Sequence, residues 1–319
     1  RDFNTTFAAA LYEEILGPIS TLKDGKNKKR IYIILDENLD EISIPSLYDE
    51  EKKVFAPENF EFVYLDSIKS FELIKKNNPQ KLNKNLNYLA FADPLLSGDK
   101  RDANFTNLFG NRGVANQSSL NELTRLPETS EEVKNISSNF KNVSLYLREN
   151  ASEKNIKSNK VSLELKNADI ISFSTHTFSD VSNFTKEIGL VLSPPEVAND
   201  QDDGFLTSRE IIEMNIDKSF VILAACDTKQ PIFYGAGVFS GLTRSFIEAG
   251  ARNVLYTNWN IDSESAKIFL SDMFKTGVLE EIPISEAISK TMNKFLRGEF
   301  GETYKHPFYW APYQLIGSN

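Results

Sequence analysis

SFVILAACD, residues 219–227, is the stretch on which the reading of this chain turns. Its uninterrupted apolar run, 220–225, is the pattern of a strand buried on both faces, and it delivers the only cysteine, Cys226, to the point where that strand ends. ADIISFSTH, residues 168–176, repeats the design and ends on His176, one of two histidines in the chain. RNVLYT, residues 252–257, reads as a third such strand and runs on into Asn258, Trp259 and Asn260. Fifty residues separate His176 from Cys226, enough for a helical crossover between two parallel strands. Ligands of open parallel sheets bind beyond the carboxyl ends of the strands, so His176, Cys226 and Trp259 are expected on one rim.

Composition narrows the function classes. A chain of 319 residues exceeds the size at which single cores stop growing, so two subdomains are expected. Hydrophobic residues at 40% and charged residues at 25% are ordinary for a globular protein. A net charge of −9 argues against direct binding to nucleic acid or to an anionic membrane. The single cysteine has no partner for an internal disulfide, which fits a reducing, cytoplasmic setting. One cysteine and two distant histidines do not make the usual zinc set, and neither a metal nor another cofactor is expected. No apolar run approaches the roughly 18 residues that a membrane span requires, so a soluble protein is expected. The chain opens at Arg1 with no signal segment, and is expected to be one part of a longer polypeptide.

In chain order, a helix over 7–16 is ended by Gly17 and Pro18. Strands follow at 31–35, 62–65 and 88–91, with a helix over 67–76 among them, which is the alternation of an α/β layer. This half holds no histidine or cysteine and reads as scaffold. Residues 97–121 are rich in Gly, Asp, Asn and Ser, and the boundary is placed there, giving subdomains 1–118 and 119–319. A helix running to Phe140 is expected to be capped by Thr129 or Ser130, and Thr207 with Glu210 forms a capping box. Helices are further expected over 237–249, ended by Gly250, and over 262–274 and 284–295, before a last strand at 313–316.

Cys226 alone would be an inert core residue, since free cysteine is among the most buried residue types. Paired with an imidazole it becomes a nucleophile. A free thiol is mostly protonated at neutral pH, its pKa being about 8.5, and a histidine in reach stabilises the thiolate and later protonates a leaving amine. The oxyanion of such a reaction needs N–H donors, which the backbone of Cys226 and of Thr177 can supply.

Beyond this, LYEEILGPI (11–19), FADP (91–94), LPETSEEV (126–133), STH (174–176), DGFLTSREI (203–211), ILAACDT (222–228), the run from Gly235 to Asp262 and HPFYWAPYQLIG (306–317) together resemble CHAT domains. These are cysteine peptidases of the superfamily that includes caspases, separase and gingipains. The resemblance implies a caspase-like α/β/α sandwich preceded by a degenerate caspase-like subdomain, and His176 with Cys226 as catalytic dyad. It further implies cleavage of a protein substrate after one preferred residue, and control by a sensor domain or activator protein. Thr177 stands where the superfamily often has glycine, and Gly235-Ala236-Gly237 where relatives show Gly-Glu-Gly.

Asp227 and Asp180 are candidates to face a basic substrate side chain, and Trp259 to wall the pocket. Asp203, followed by glycine, reads as turn chemistry, and His306 as packing for the last strand. The rival reading is a non-catalytic CHAT scaffold that binds a protein partner through the same rim. A flavodoxin-type binding domain would need a phosphate loop after its first strand, and DENLDE (36–41) is too acidic for one.

Overall fold

The computed structural model describes residues 2–21, 30–34, 39, 42–65, 67–68, 71, 79–98, 115, 117–179, 188–224 and 236–317. Cys226, Asp227, Asp180, most of the expected 67–76 helix and most of the 97–121 stretch lie outside them.

Continuous apolar runs become the strands of one eight-stranded sheet. Its members are β1 (Arg30–Ile33), β4 (Glu61–Tyr64), β5 (Asn87–Pro94), β6 (Asn142–Arg148), β7 (Ile170–Ser174), β11 (Phe220–Ala224), β12 (Asn253–Thr257) and β13 (Tyr313–Gly317). A small hairpin, β2 (Tyr48–Asp49) with β3 (Val54–Phe55), and a three-stranded sheet, β8 (Thr177–Ser179), β9 (Ile188–Val191) and β10 (Phe205–Thr207), stand apart from it. The order in the large sheet is β1-β4-β13-β12-β11-β7-β5-β6, and every pairing is parallel except β12 with β13.

Both faces of the sheet are covered. Ile170, Phe220, Ile222, Ala224 and Tyr88 point into one core with Val133, Phe269, Phe274 and Ile288 of the helices Pro127–Ser137, Ser263–Glu280 and Ile284–Leu296. Ile171, Phe173, Val221 and Leu223 point the other way, onto Leu165, Ile211, Leu242 and Phe246 of the helices Asn159–Asn167, Ser208–Glu213 and Ala236–Glu248. Adjacent strand residues alternate between two apolar layers, which is why β11 shows no polar alternation, while β7 sets Ser172 and Ser174 on one face. The expected α/β/α sandwich is what these residues build. Strands from both sides of residue 118 share the sheet: β1, β4 and β5 come before it and the other five after it.

Local chemistry sets the helix ends. Thr207 and Glu210 form the expected capping box. The 127–137 helix instead starts at Pro127, with Leu126 as N-cap and no side-chain cap bond, because proline already suits a first helical position and needs no N–H partner. Thr129 sits inside its first turn. The Ser263–Glu280 helix outruns expectation and ends at Glu281, which takes φ 51°. Gly277 lies within it because an added Cβ would come 2.4 Å from Leu82.

Gly250 closes the Ala236–Glu248 helix at φ +112°, where a Cβ would stand 1.8 Å from the Ile216 carbonyl oxygen. Gly250→Ala is therefore expected to cost about 3 kcal/mol or more, combining left-handed strain with a clash against backbone. Urea unfolding reads it; a cost below about 1 kcal/mol would contradict this account.

Candidate active site

The rim is built by β7 and β11, which lie side by side and parallel, with Ala224 paired to Ser174. In the sequence His176 follows its member of that pair by two residues, and so does Cys226. β12 is the next strand along, and Trp259 follows its end by two residues.

His176 sits between β7 and β8 and is 1% exposed. Its Nε2 lies 2.8 Å from the Thr124 carbonyl oxygen. A carbonyl only accepts, so Nε2 carries the proton, and in the neutral ring the lone pair is on Nδ1. The chain leaves β7 under tight control: the Thr175 hydroxyl donates to the Val191 carbonyl, and the Val191 N–H donates to the His176 carbonyl at 2.9 Å. With Thr177 opposite Leu190, that bond makes the couple a non-hydrogen-bonded pair of the antiparallel ladder. The Thr177 N–H is thus left out of the ladder.

Beneath this rim lies Glu132, 3% exposed, whose Oε1 accepts a 2.8 Å bond from the Ser174 hydroxyl. Burial pushes its carboxyl up to about 7, Ser174 opposing the rise and the Glu128 charge adding to it. Neither Thr124 nor Glu132 was picked out from the sequence. The available signal was the polar alternation of Ser172 and Ser174 on one face of an apolar strand, which demands polar partners above it; Ser172 meets the Tyr88 hydroxyl at 3.0 Å and Ser174 meets Glu132.

The remaining candidates separate. Trp259 is half-buried at the rim and donates its indole N–H to the Phe308 carbonyl at 2.9 Å. Asp203 makes a turn, accepting from the N–H groups of Phe205 at 2.9 Å and Ala115 at 2.6 Å. Burial, reinforced by the Glu153 charge, pushes it up to about 7. His306 caps the short helix before β13, its Nδ1 accepting from the Phe308 N–H at 3.1 Å. Asp180, Asp227 and Cys226 lie outside the described residues. Among the described residues no cluster of acidic, histidine or cysteine side chains is arranged to hold a metal, and no helix is long and apolar enough to cross a membrane.

A family model described as CHAT domain matches residues 5–318. The chain belongs to the CHAT domain family. Its fold is similar to that of solved structures. Against separase in the Saccharomyces cerevisiae separase–securin complex, the TM-score is 0.50 at 11% identity, covering 90% of this CHAT domain and 15% of that chain. Against the complex of Porphyromonas gingivalis RgpB pro- and mature domains, it is 0.51 at 11% identity, covering 98% and 67%. Among curated proteins, human tetratricopeptide repeat protein 28 is 27% identical over 114 residues, which are 36% of this CHAT domain and 4% of that protein. The mouse protein of the same name is 25% identical over the same length. This CHAT domain thus matches only a small part of those relatives' length.

Proposed function

We propose that this CHAT domain is a cysteine endopeptidase with Cys226 as nucleophile and His176 as acid and base. The observation that carries the reading is the Ala224/Ser174 pairing of two parallel strands, from which both residues follow at equal distance. Two residues span at most about 7 Å and paired strands lie about 4.8 Å apart, which supports a reading in which thiol and imidazole meet. The Thr124 bond supports the same roles, since it reserves Nδ1 for the thiol proton.

In the proposed reaction, Nδ1 takes the thiol proton and the sulfur attacks the scissile carbonyl. The N–H groups of Thr177 and Cys226 hold the oxyanion. The intermediate collapses as the imidazolium gives its proton to the leaving amine, forming a thioester. Water, deprotonated by the imidazole, then hydrolyses that thioester to a carboxylate and the thiol. Asp227 and Asp180 are proposed to meet a basic substrate side chain, with Trp259 as the pocket wall. Residues 1–118 serve as the pseudo-protease subdomain and 119–319 carry the chemistry, under control of an adjoining sensor domain or activator protein.

Turnover of a peptide library that varies the residue before the cut tests the reading. Cleavage by the wild type that is abolished in Cys226→Ala is expected; full turnover in that variant would sink it. The burial of His176 favours one rival, a non-catalytic scaffold in which the imidazole only ties Thr124 to the sheet. That rival predicts no difference between wild type and Cys226→Ala toward any peptide, with or without a bound partner.

A further inference from the structure

We propose that the Asp93–Arg125 ion pair is a positioning device for His176, aiming the Thr124 carbonyl at Nε2 so that the ring keeps its proton there and offers Nδ1 to the thiol. This inference rests on the peptidase reading above. The Thr124 carbonyl belongs to the same planar peptide unit as the Arg125 N–H, so an anchor that holds the Arg125 backbone in place restricts the direction of that oxygen.

Arg125 is fixed by a fork. Its Nε donates to Oδ1 of Asp93 at 2.7 Å and its Nη2 to Oδ2 at 2.6 Å, a bidentate geometry that sets orientation as well as distance. Asp93 ends the FAD run of β5, the strand beside β7, and its side chain is only 2% exposed. It takes the left-handed conformation, φ 50°, at an irregularity in the β5/β6 pairing, and its N–H donates to the Thr129 hydroxyl at 3.0 Å. Thr129 in turn donates to the Leu126 carbonyl at 2.7 Å. Residues 125–129 are therefore held on both sides to the end of β5.

The other flank of Thr124 is anchored separately. The Gly98 N–H donates to the Leu123 carbonyl at 3.0 Å and Gly98 bridges to Thr124. A Cβ at Gly98 would come 1.9 Å from the Glu122 carbonyl oxygen, so this approach requires glycine. Leu120 and Leu123 are buried with Phe178 and Val191, which secures the segment on its apolar side. Burying a carboxylate costs solvation that apolar packing at the same place would not. The bidentate fork adds a fixed orientation to the backbone bridge at Gly98.

The test uses Asp93→Asn/Arg125→Gln, which removes both charges and leaves none buried alone, and Arg125→Lys, which keeps the charge and loses the fork. Near-UV circular dichroism verifies folding. Because the chain has only two histidines, ¹⁵N NMR with His306→Gln for assignment reads the His176 tautomer directly. The wild type is expected to hold the Nε2–H tautomer. The double variant should mix tautomers and alkylate Cys226 with iodoacetamide about tenfold more slowly at pH 7, with Arg125→Lys between the two. A folded double variant with the wild-type tautomer ratio overturns the proposal; if it does not fold, the same result in Arg125→Lys does so. His176→Ala alkylating at the wild-type rate would instead defeat the dyad, and the tautomer measurement would still decide the positioning role.

Discussion

His176→Ala is expected to lower kcat/KM toward a cleavable peptide by about a thousandfold, within the range that a positioned acid and base contributes. The loss falls mainly on kcat, because the imidazole acts on protons in flight and is buried away from the parts of a substrate that only bind. The substitution also removes the partner of the Thr124 carbonyl and opens a small void, so a stability loss of about 1–3 kcal/mol accompanies it. Activity is therefore measured well below the variant's own Tm. Turnover within threefold of the wild type in a folded His176→Ala protein would exclude the proposed role for the imidazole.

Glu132→Gln is expected to stabilise the protein at pH 8 by on the order of 3 kcal/mol, while leaving it nearly unchanged at pH 4.5. Burial raises the folded-state pKa to about 7 from the ordinary glutamate value of 4.5. The unfolded chain thus loses this proton first as pH rises, and stability that is complete below 4.5 drains away between 4.5 and 7 and stays lost above. Glutamine keeps an acceptor for the Ser174 hydroxyl but carries no proton to lose. Asp203 titrates in the same direction, so the difference between wild type and variant, and not the wild-type curve alone, isolates Glu132. Urea unfolding at the two pH values measures it. An equal gap at both would show that Glu132 does not change charge in the fold. Since Ser174 is the last β7 residue paired to β11, ionisation of Glu132 bears directly on the strand end that carries His176.

The strands and their ends were legible because burial on both faces writes itself as an unbroken apolar run. Phe220, Val221, Ile222 and Leu223 feed two cores alternately, so no position tolerates a polar residue. The exception, Ser172 and Ser174 within β7, marked the face where Tyr88 and Glu132 answer them. Glu132 itself was hidden, since a glutamate in the first turns of a helix is ordinarily a solvated residue that favours the dipole. Thr129 was misplaced for a related reason: its hydroxyl looked like a cap, yet it serves a strand end 36 residues away.

What the sequence determined by itself is the class of the sheet, several of the helices between its strands, and the position of a lone cysteine and a histidine two residues beyond the last paired residues of β11 and β7. Those follow from periodicity and from residues adjacent along the chain. The tertiary structure alone decided which carbonyl meets the imidazole, which acid meets the Ser174 hydroxyl and which ion pair ties Arg125 to the end of β5. Thr124 reaches His176 across 52 positions, Glu132 reaches Ser174 across 42 and Arg125 reaches Asp93 across 32. Such pairs share no period, and they meet only because the order β11-β7-β5 sets the three strand ends side by side.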